Sequence, residues 1–340
     1  MIESKKTTVY IYSYDNAGHG TDVIVYNLID ALQRIGVEAK SIHSIDDLDR
    51  GSIVIPYGVS LAERQMKLGF KCDLVLLVDA VTLGYRNKIK NYFSNHYICR
   101  DLFYMLLVII KDTYGERKVL KKFGNAMLVS MTDIDYLKKK YPCNYIYVPN
   151  GVTVKNTIAP KKSNSKITIG MMCGGYAMQN YNETAVFVKR YLVRYLKSHP
   201  NVECLISGDG THNYRFEGLP GVRVIGKVKD LPEFYSSIDV LVSPIAKGCG
   251  IINRVLESMA YETFLIGHKG TFSGVTDLRE GYKSYDTYEE FVECMDFYIN
   301  NPEKVQQYIS NAKKYVVENR QWSKIYDEFA VKVANILNLK

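Results

Sequence analysis

The 340-residue chain lacks most features that would assign it at a glance. Its seven cysteines stand apart at 72, 99, 143, 173, 204, 249 and 294, with no CxxC pair and no zinc-ligand spacing. Residues 1–6 are polar and carry no secretory signal, so the scattered thiols read as reduced, and the chain is expected in the cytoplasm. The apolar run at residues 102–110 falls well short of the ~20 residues that span a bilayer. There is one tryptophan, Trp322. No repeat of solenoid period is present, and no GxGxxG turn with the distal carboxylate of a dinucleotide site. Basic residues do not interleave with aromatics as in a nucleic-acid-binding module. No His, Asp and Glu cluster has metal-ligand spacing, and no carboxylate pair reads as that of a hydrolase. These absences argue against a disulfide-stapled secreted domain, a membrane-spanning protein, a zinc module and a solenoid.

What is present fits a soluble α/β chain. Hydrophobic residues make up 47% and charged residues 24%, and the length suits two domains of about 150 residues each. The net charge of +8 favours anionic partners such as nucleotide sugars, nucleic acid or an anionic membrane face. Residues 7–14 are apolar and β-branched and predict a buried strand, residues 15–22 a turn-rich loop, residues 23–35 a helix ended by Gly36, and residues 37–43 a second strand. That is a βαβ unit, the start of a doubly wound sheet. Further strands are expected at 53–57, 74–78, 97–99, 126–130 and 145–148, with a helix at 134–141 stopped by Pro142. Residues 155–166 are polar and read as a linker. A second domain restarts with a strand at 167, followed by a helix at 183–198 and strands at 203–207, 222–225, 240–243 and 264–266. Residues 302–337 are expected to be helical.

Residues 244–260 carry the most chemistry. A loop with Gly248 and Gly250 runs from the end of a predicted strand into a helix that begins near Asn253. Glycines let backbone N–H groups approach an anion, and a helix start adds partial positive charge. Arg254 in the first turn can fork onto phosphate oxygens. Glu257, three residues on and on nearly the same face, can accept two hydrogen bonds from a vicinal diol such as ribose. The carboxyl end of a strand is also where ligands bind in open α/β sheets. Lys247, Cys249 and Ile251 complete this loop, which reads as a grip on a nucleoside diphosphate.

From these residues the chain resembles the GT-B-fold retaining glycosyltransferases of the large family 4 type, in its bacterial glycan-biosynthesis subgroup. Cys204 to Gly210, Val222 to Val228, Phe234 to Pro244 and Gly248 to Ala260 occur in the family's order and at its spacing. The resemblance implies two Rossmann-like domains facing each other across a cleft: an acceptor-side domain at 1–152, a nucleotide-sugar domain at 167–318, and a last helix at 319–340 that returns to the first domain near Trp322. It implies hexosyl transfer from a nucleotide-diphosphate sugar to a glycan or lipid-linked acceptor, as in polysaccharide or lipopolysaccharide synthesis. The reaction would retain configuration and need neither metal nor cofactor. Gly18, His19 and Gly20 match the family's first-domain glycine loop, which faces the donor sugar and phosphates, and Gly174 and Gly175 match the second-domain loop. Relatives often place Arg and Lys just beyond that second loop; here residues 176–182 hold no cation, and the pattern Gly175, Asn180, Asn182 is similar to a subgroup that uses Asn180 instead. Position 249 is Cys where relatives often have a second glutamate. Phosphate neutralisation then falls mainly to Arg254, with Lys247 beside it.

Other candidates are Gly208 at a strand end, Ser273 and Gly274 beyond the last predicted strand, and Asp79 at the end of the 74–78 strand. Asp79 either orients an acceptor hydroxyl or caps a helix. The 102–110 run followed by Lys111, Arg117, Lys118, Lys121 and Lys122 suits a helix lying on an anionic membrane face, as a peripheral protein at the inner surface, or a buried helix with a solvated basic end. Competing readings are a nucleotide-sugar epimerase on the same fold, a lapsed transferase domain that only binds a partner, and a nucleic-acid-binding protein prompted by the charge. The missing nucleic-acid module argues against the last.

Overall fold

The computed structural model describes residues 8–15, 19–94, 102–154, 166–173, 178–208, 215–246 and 249–339. Its chain forms two compact units, one of Met1–Gly151, Cys249–Ile251 and Gln321–Lys340, the other of Val152–Gly248 and Ile252–Arg320. The strand expected at 97–99 and most of the 155–166 linker lie outside the described residues.

In the first unit the elements alternate: β1 (Val9–Tyr12), α1 (His19–Arg34), β2 (Ala39–Ile42), β3 (Ile53–Pro56), α2 (Gly58–Lys67), β4 (Leu74–Val78), α3 (Val81–Ser94), α4 (Leu102–Lys122), β5 (Asn125–Leu128), α5 (Met131–Lys138) and β6 (Asn144–Tyr147). All strand pairs are parallel, in the orders β2-β1-β3 and β4-β5-β6, and a parallel bridge from Tyr57 to Leu76 joins the two sets. Parallel strands need crossover helices, and those helices bury both faces of the sheet; this is why β4 reads as an unbroken Leu-Val-Leu-Leu-Val run rather than an alternating one. Helix α1 buries Ile24, Val25, Leu28, Ala31 and Leu32, a stripe of helical period, against Val9, Ile11 and Leu76 of the sheet. It starts earlier than its apolar pattern, so His19 and Gly20, expected in a loop, lie in its first turn. Gly36 ends it with φ +86°, a conformation that suits glycine.

The second unit holds β7 (Ile167–Met172), α6 (Met178–Phe187), a π turn (Val188–Leu192), α7 (Val193–Ser198), β8 (Val202–Ser207), β9 (Val222–Gly226), α8 (Leu231–Ser236), β10 (Val240–Ser243), α9 (Asn253–Ala260), β11 (Phe264–His268), a 3-10 turn (Lys269–Phe272), β12 (Lys283–Tyr285), α10 (Tyr288–Asn300) and α11 (Pro302–Asn319). Its sheet is parallel, in the order β12-β11-β10-β7-β8-β9. Numbered from β7, that is the doubly wound order of a Rossmann sheet, with its switch point between β7 and β10. Ile169, Met171, Cys204, Ile206, Val240, Val242 and Phe264 form the core.

The single helix expected at 183–198 is interrupted by the π turn, in which Val188 and Leu192 are buried. The helical tail is two helices, α11 and α12 (Trp322–Ile336), parted at Arg320 and Gln321, close to the start expected for the last helix. The break has a local cause. The Arg320 guanidinium is buried, donating to the Gly274 carbonyl (3.1 Å) and the Tyr315 hydroxyl (2.8 Å), while its own carbonyl accepts from the Val152 N–H (2.7 Å). Helix α12 then packs Tyr326, Phe329, Ala330 and Val333 into the core of the first unit beside α1, with Arg34 Nε bonded to Asp327 Oδ1 at 2.9 Å. A Cβ at Gly151 would fall 2.8 Å from the Trp322 backbone nitrogen, so this approach requires glycine. Among the described residues no helix is long and apolar enough to cross a membrane.

Candidate functional site

At the switch point of the second unit, strand β7 ends at Met172 and strand β10 at Ser243, side by side in the sheet. Chains leaving such a point diverge to opposite sides of the sheet and open a crevice at the strand ends. Arg254, in the first turn of α9, donates through Nη1 to the Met172 carbonyl. Its guanidinium is thereby fixed at the switch point, half-buried, with further N–H donors on the same fork. One helical turn further on, Glu257 Oε2 accepts from the Tyr235 hydroxyl at 3.3 Å. Tyr235 is buried on α8 and stacks on Tyr261, with ring centroids 4.9 Å apart. Burial, then the Glu257 carboxylate, push the Tyr235 phenol well above its ordinary range, so it remains a donor. The loop that leaves β10 is held from two sides: Glu183 Oε2 on α6 accepts from the Ala246 N–H at 3.3 Å, and Thr271 Oγ1 bridges the carbonyls of Ser243 (3.0 Å) and Ile245 (2.8 Å). A Cβ at Gly270 would lie 2.9 Å from the Ala246 carbonyl carbon, so the turn after β11 presses on the same loop.

In the first unit a pocket of about 250 Å³ opens at the carboxyl ends of β3 and β4, lined among others by Tyr14, Tyr57, Ser60, Asp79 and Asp112. Val78, the last residue of β4, has φ +69°, rare for a β-branched residue, next to a register shift in the β4–β5 pairing. Asp79 is the next residue in the chain and lines the pocket. Burial pushes the Asp112 carboxyl above its ordinary range. The segment Cys249–Ile251, which belongs to this unit, sits beside them: the Gly250 N–H donates to Asp133 Oδ2 at 2.9 Å, and the same oxygen accepts from the Ala80 N–H at 3.3 Å. Asp133 is fully buried in the first turn of α5. Cys249 is buried as well, and Gly250 has φ +61°.

The structure thus brings Arg254 and Glu257 together, and places Gly250 against Asp79. Gly18, Gly174, Gly175, Lys247 and Gly248 lie outside the described residues, as do the side chains of His19 and Asn180. Gly208 follows β8, its N–H donating to the Gly226 carbonyl at 2.7 Å. Ser273 follows the 3-10 turn, and the Gly274 carbonyl is occupied by Arg320. Sequence reasoning missed Glu183, Tyr235 and Asp133. The described residues hold no group of three His, Cys, Asp or Glu placed to bind a metal ion.

Residues 168–301 match the family described as "Glycosyl transferases group 1". No curated protein sequence matches the chain. Among solved structures, it is similar to a sucrose-phosphate synthase from Thermosynechococcus elongatus (TM-score 0.74, 14% identity, 98% of this chain and 100% of that one). It is also similar to WaaG, a glycosyltransferase involved in lipopolysaccharide biosynthesis (TM-score 0.63, 12% identity, 96% and 99%). A third is HepE of Anabaena, solved with UDP and glucose (TM-score 0.61, 10% identity, 97% and 100%). The chain has the GT-B fold, two Rossmann-like units of mixed α/β structure, and the group 1 glycosyltransferase match falls within the second unit.

Proposed function

We propose that this chain is a retaining, metal-independent glycosyltransferase that moves a hexosyl group from a nucleotide-diphosphate sugar to a glycan or lipid-linked acceptor, with no cofactor. The observation that carries this reading is the pairing of Arg254, pinned on the Met172 carbonyl, with Glu257, oriented by Tyr235, at the switch point of the second unit. Glu257 would take the ribose diol, and Arg254 the diphosphate. Negative charge grows on the diphosphate as the glycosidic bond breaks, so a cation already fixed in place stabilises the transition state more than the ground state. The N–H groups at the start of α9 add to it. The acceptor hydroxyl would lie in the first unit's pocket, where Asp79 can accept its hydrogen bond. Catalysis on this reading is chiefly positioning of the two reactants.

A thermal-shift screen against UDP, GDP, TDP and their sugars tests donor binding, because a ligand that binds only the folded chain raises its melting temperature. One nucleotide family should stabilise it. Arg254→Ala should then lower turnover with that donor by about 100-fold or more, the usual cost of removing one transition-state donor. A flat screen, or full turnover in the variant, would remove the reading.

A further inference from the structure

Helix α4 is amphipathic with its polarity reversed. Met105, Gly115, Glu116, Val119 and Leu120 face the protein, and a Cβ at Gly115 would fall 2.7 Å from Val59 Cγ1, so that side is packed tightly on α2. Across the helix, Phe103, Leu107, Ile110 and Tyr114 recur at intervals of four, three and four residues, which is one stripe at 3.6 residues per turn. They point into solvent: Phe103 is 72% exposed, Ile110 70% and Tyr114 69%, with Tyr104 and Leu106 exposed beside them. Past Tyr114 the outward side turns cationic, with Arg117, Lys121 and Lys122 exposed, and Lys111 exposed at its flank. The helix has two acids, and neither joins this face: Asp112 lines the pocket, and Glu116 is buried with Thr82 Oγ1 donating to it at 2.7 Å.

We propose that this face docks on the surface of an anionic bilayer. Aromatic and aliphatic side chains would enter the boundary between headgroups and acyl chains, and the four cations would pair with lipid phosphates or carboxylates. An apolar stripe continued by cations, with no outward acid, fits that boundary layer by layer. A second copy laid on the same face would bring two cationic patches into one interface. Surface binding does not depend on the transfer reading.

The test is co-sedimentation of the whole chain with vesicles of phosphatidylcholine alone and of phosphatidylcholine mixed with phosphatidylglycerol. The wild type should pellet with the anionic vesicles only, and less so as salt is raised. Phe103→Ser with Ile110→Ser should weaken binding by about tenfold or more, and Arg117→Glu with Lys121→Glu by at least as much. Both pairs are exposed, so the nucleotide-induced thermal shift should survive in both and certify the fold. A wild type that stays in the supernatant overturns the proposal, as does an apolar variant that binds like the wild type. A wild-type dimer dissociated by the apolar variant, without vesicle binding, assigns the face to a second copy and overturns it too. A chain that binds vesicles yet shows no shift with any nucleotide keeps the surface and discards the transfer reading.

Discussion

Replacing Gly250 by alanine should be costly for two separable reasons. First, Gly250 has φ +61°, and an L-residue in the left-handed region costs about 1–2 kcal/mol. Second, the new methyl carbon would fall 2.7 Å from Asp79 Cγ, inside van der Waals contact; overpacking of this kind costs about 1–3 kcal/mol. The two sum to about 2–5 kcal/mol. Asp79→Ala removes the obstructing carboxylate and leaves the backbone conformation, so in that background Gly250→Ala should cost only the backbone part. A double-mutant cycle over wild type, the two single variants and the double variant isolates the contact as a coupling of about 1–3 kcal/mol. Trp322 is the only tryptophan and belongs to the same unit as Gly250, so its fluorescence follows unfolding of the right part of the chain. Equal costs in the two backgrounds would show that Gly250 and Asp79 are not in contact. A neutral Gly250→Ala would show in addition that the left-handed turn is absent, and with it the Gly250–Asp133 hydrogen bond.

Two further predictions concern the second unit. Tyr235→Phe keeps the ring on Tyr261 and deletes the donor to Glu257, so the unit should remain folded while nucleotide affinity falls by about tenfold, the value of one hydrogen bond to a charged group; calorimetry showing unchanged affinity would separate Glu257 from the ligand. His268 is held neutral: burial lowers its pKa, its Nδ1 accepts from the Gly270 N–H at 3.0 Å, and its Nε2 faces Asp286 Oδ1 at 3.3 Å. With the folded value below the unfolded one, its contribution is whole above the unfolded pKa near 6.5 and is lost as pH falls from there toward the folded pKa. His268→Asn can keep the bond to the N–H two residues on, as an Asx turn does, and does not titrate, so it should flatten the acid limb of melting temperature against pH; an unchanged limb would place the titrating group elsewhere.

The sheets were readable because parallel strands buried on both faces leave continuous apolar runs, as at Leu74–Val78 and Val240–Ser243. Arg254 and Glu257 were readable because their relation is local, three residues apart on one helix. Asp133 and Glu183 were not, because each acts through a backbone N–H far away in sequence, 117 residues for Gly250 and 63 for Ala246. The only sequence cues were an acid in the first turn of a helix and an acid on the helix after a glycine loop, both common. Tyr235 was hidden among 28 tyrosines, and only its stacking on Tyr261 and its aim at Glu257 distinguish it. The π turn at Val188–Leu192 was not expected, because its two buried residues are four apart and fit an unbroken helix equally well, whereas the start of a last helix near 319 was implied by the resemblance.

On the proposed transfer, charge is what would distinguish the unit that receives the donor from the one that receives the acceptor. Both sheets are doubly wound, and in each the order reverses once, between β1 and β3 in the first and between β7 and β10 in the second, so topology alone offers two comparable sites. The first unit's pocket presents two carboxyl groups, Asp79 and Asp112, with tyrosine and serine hydroxyls. A diphosphate there would meet like charge in a partly dry site, whereas a hydroxyl-rich acceptor would find acceptors for its protons. The second unit's switch point presents Arg254 and the start of α9, positive on both counts, with the Glu257 carboxylate one helical turn further on. On the proposed transfer, donor on the second unit and acceptor on the first would leave no like charges facing one another. Exchanging the signs, with Asp79→Lys in one variant and Arg254→Glu in another, should damage acceptor use and donor binding respectively, each without the other.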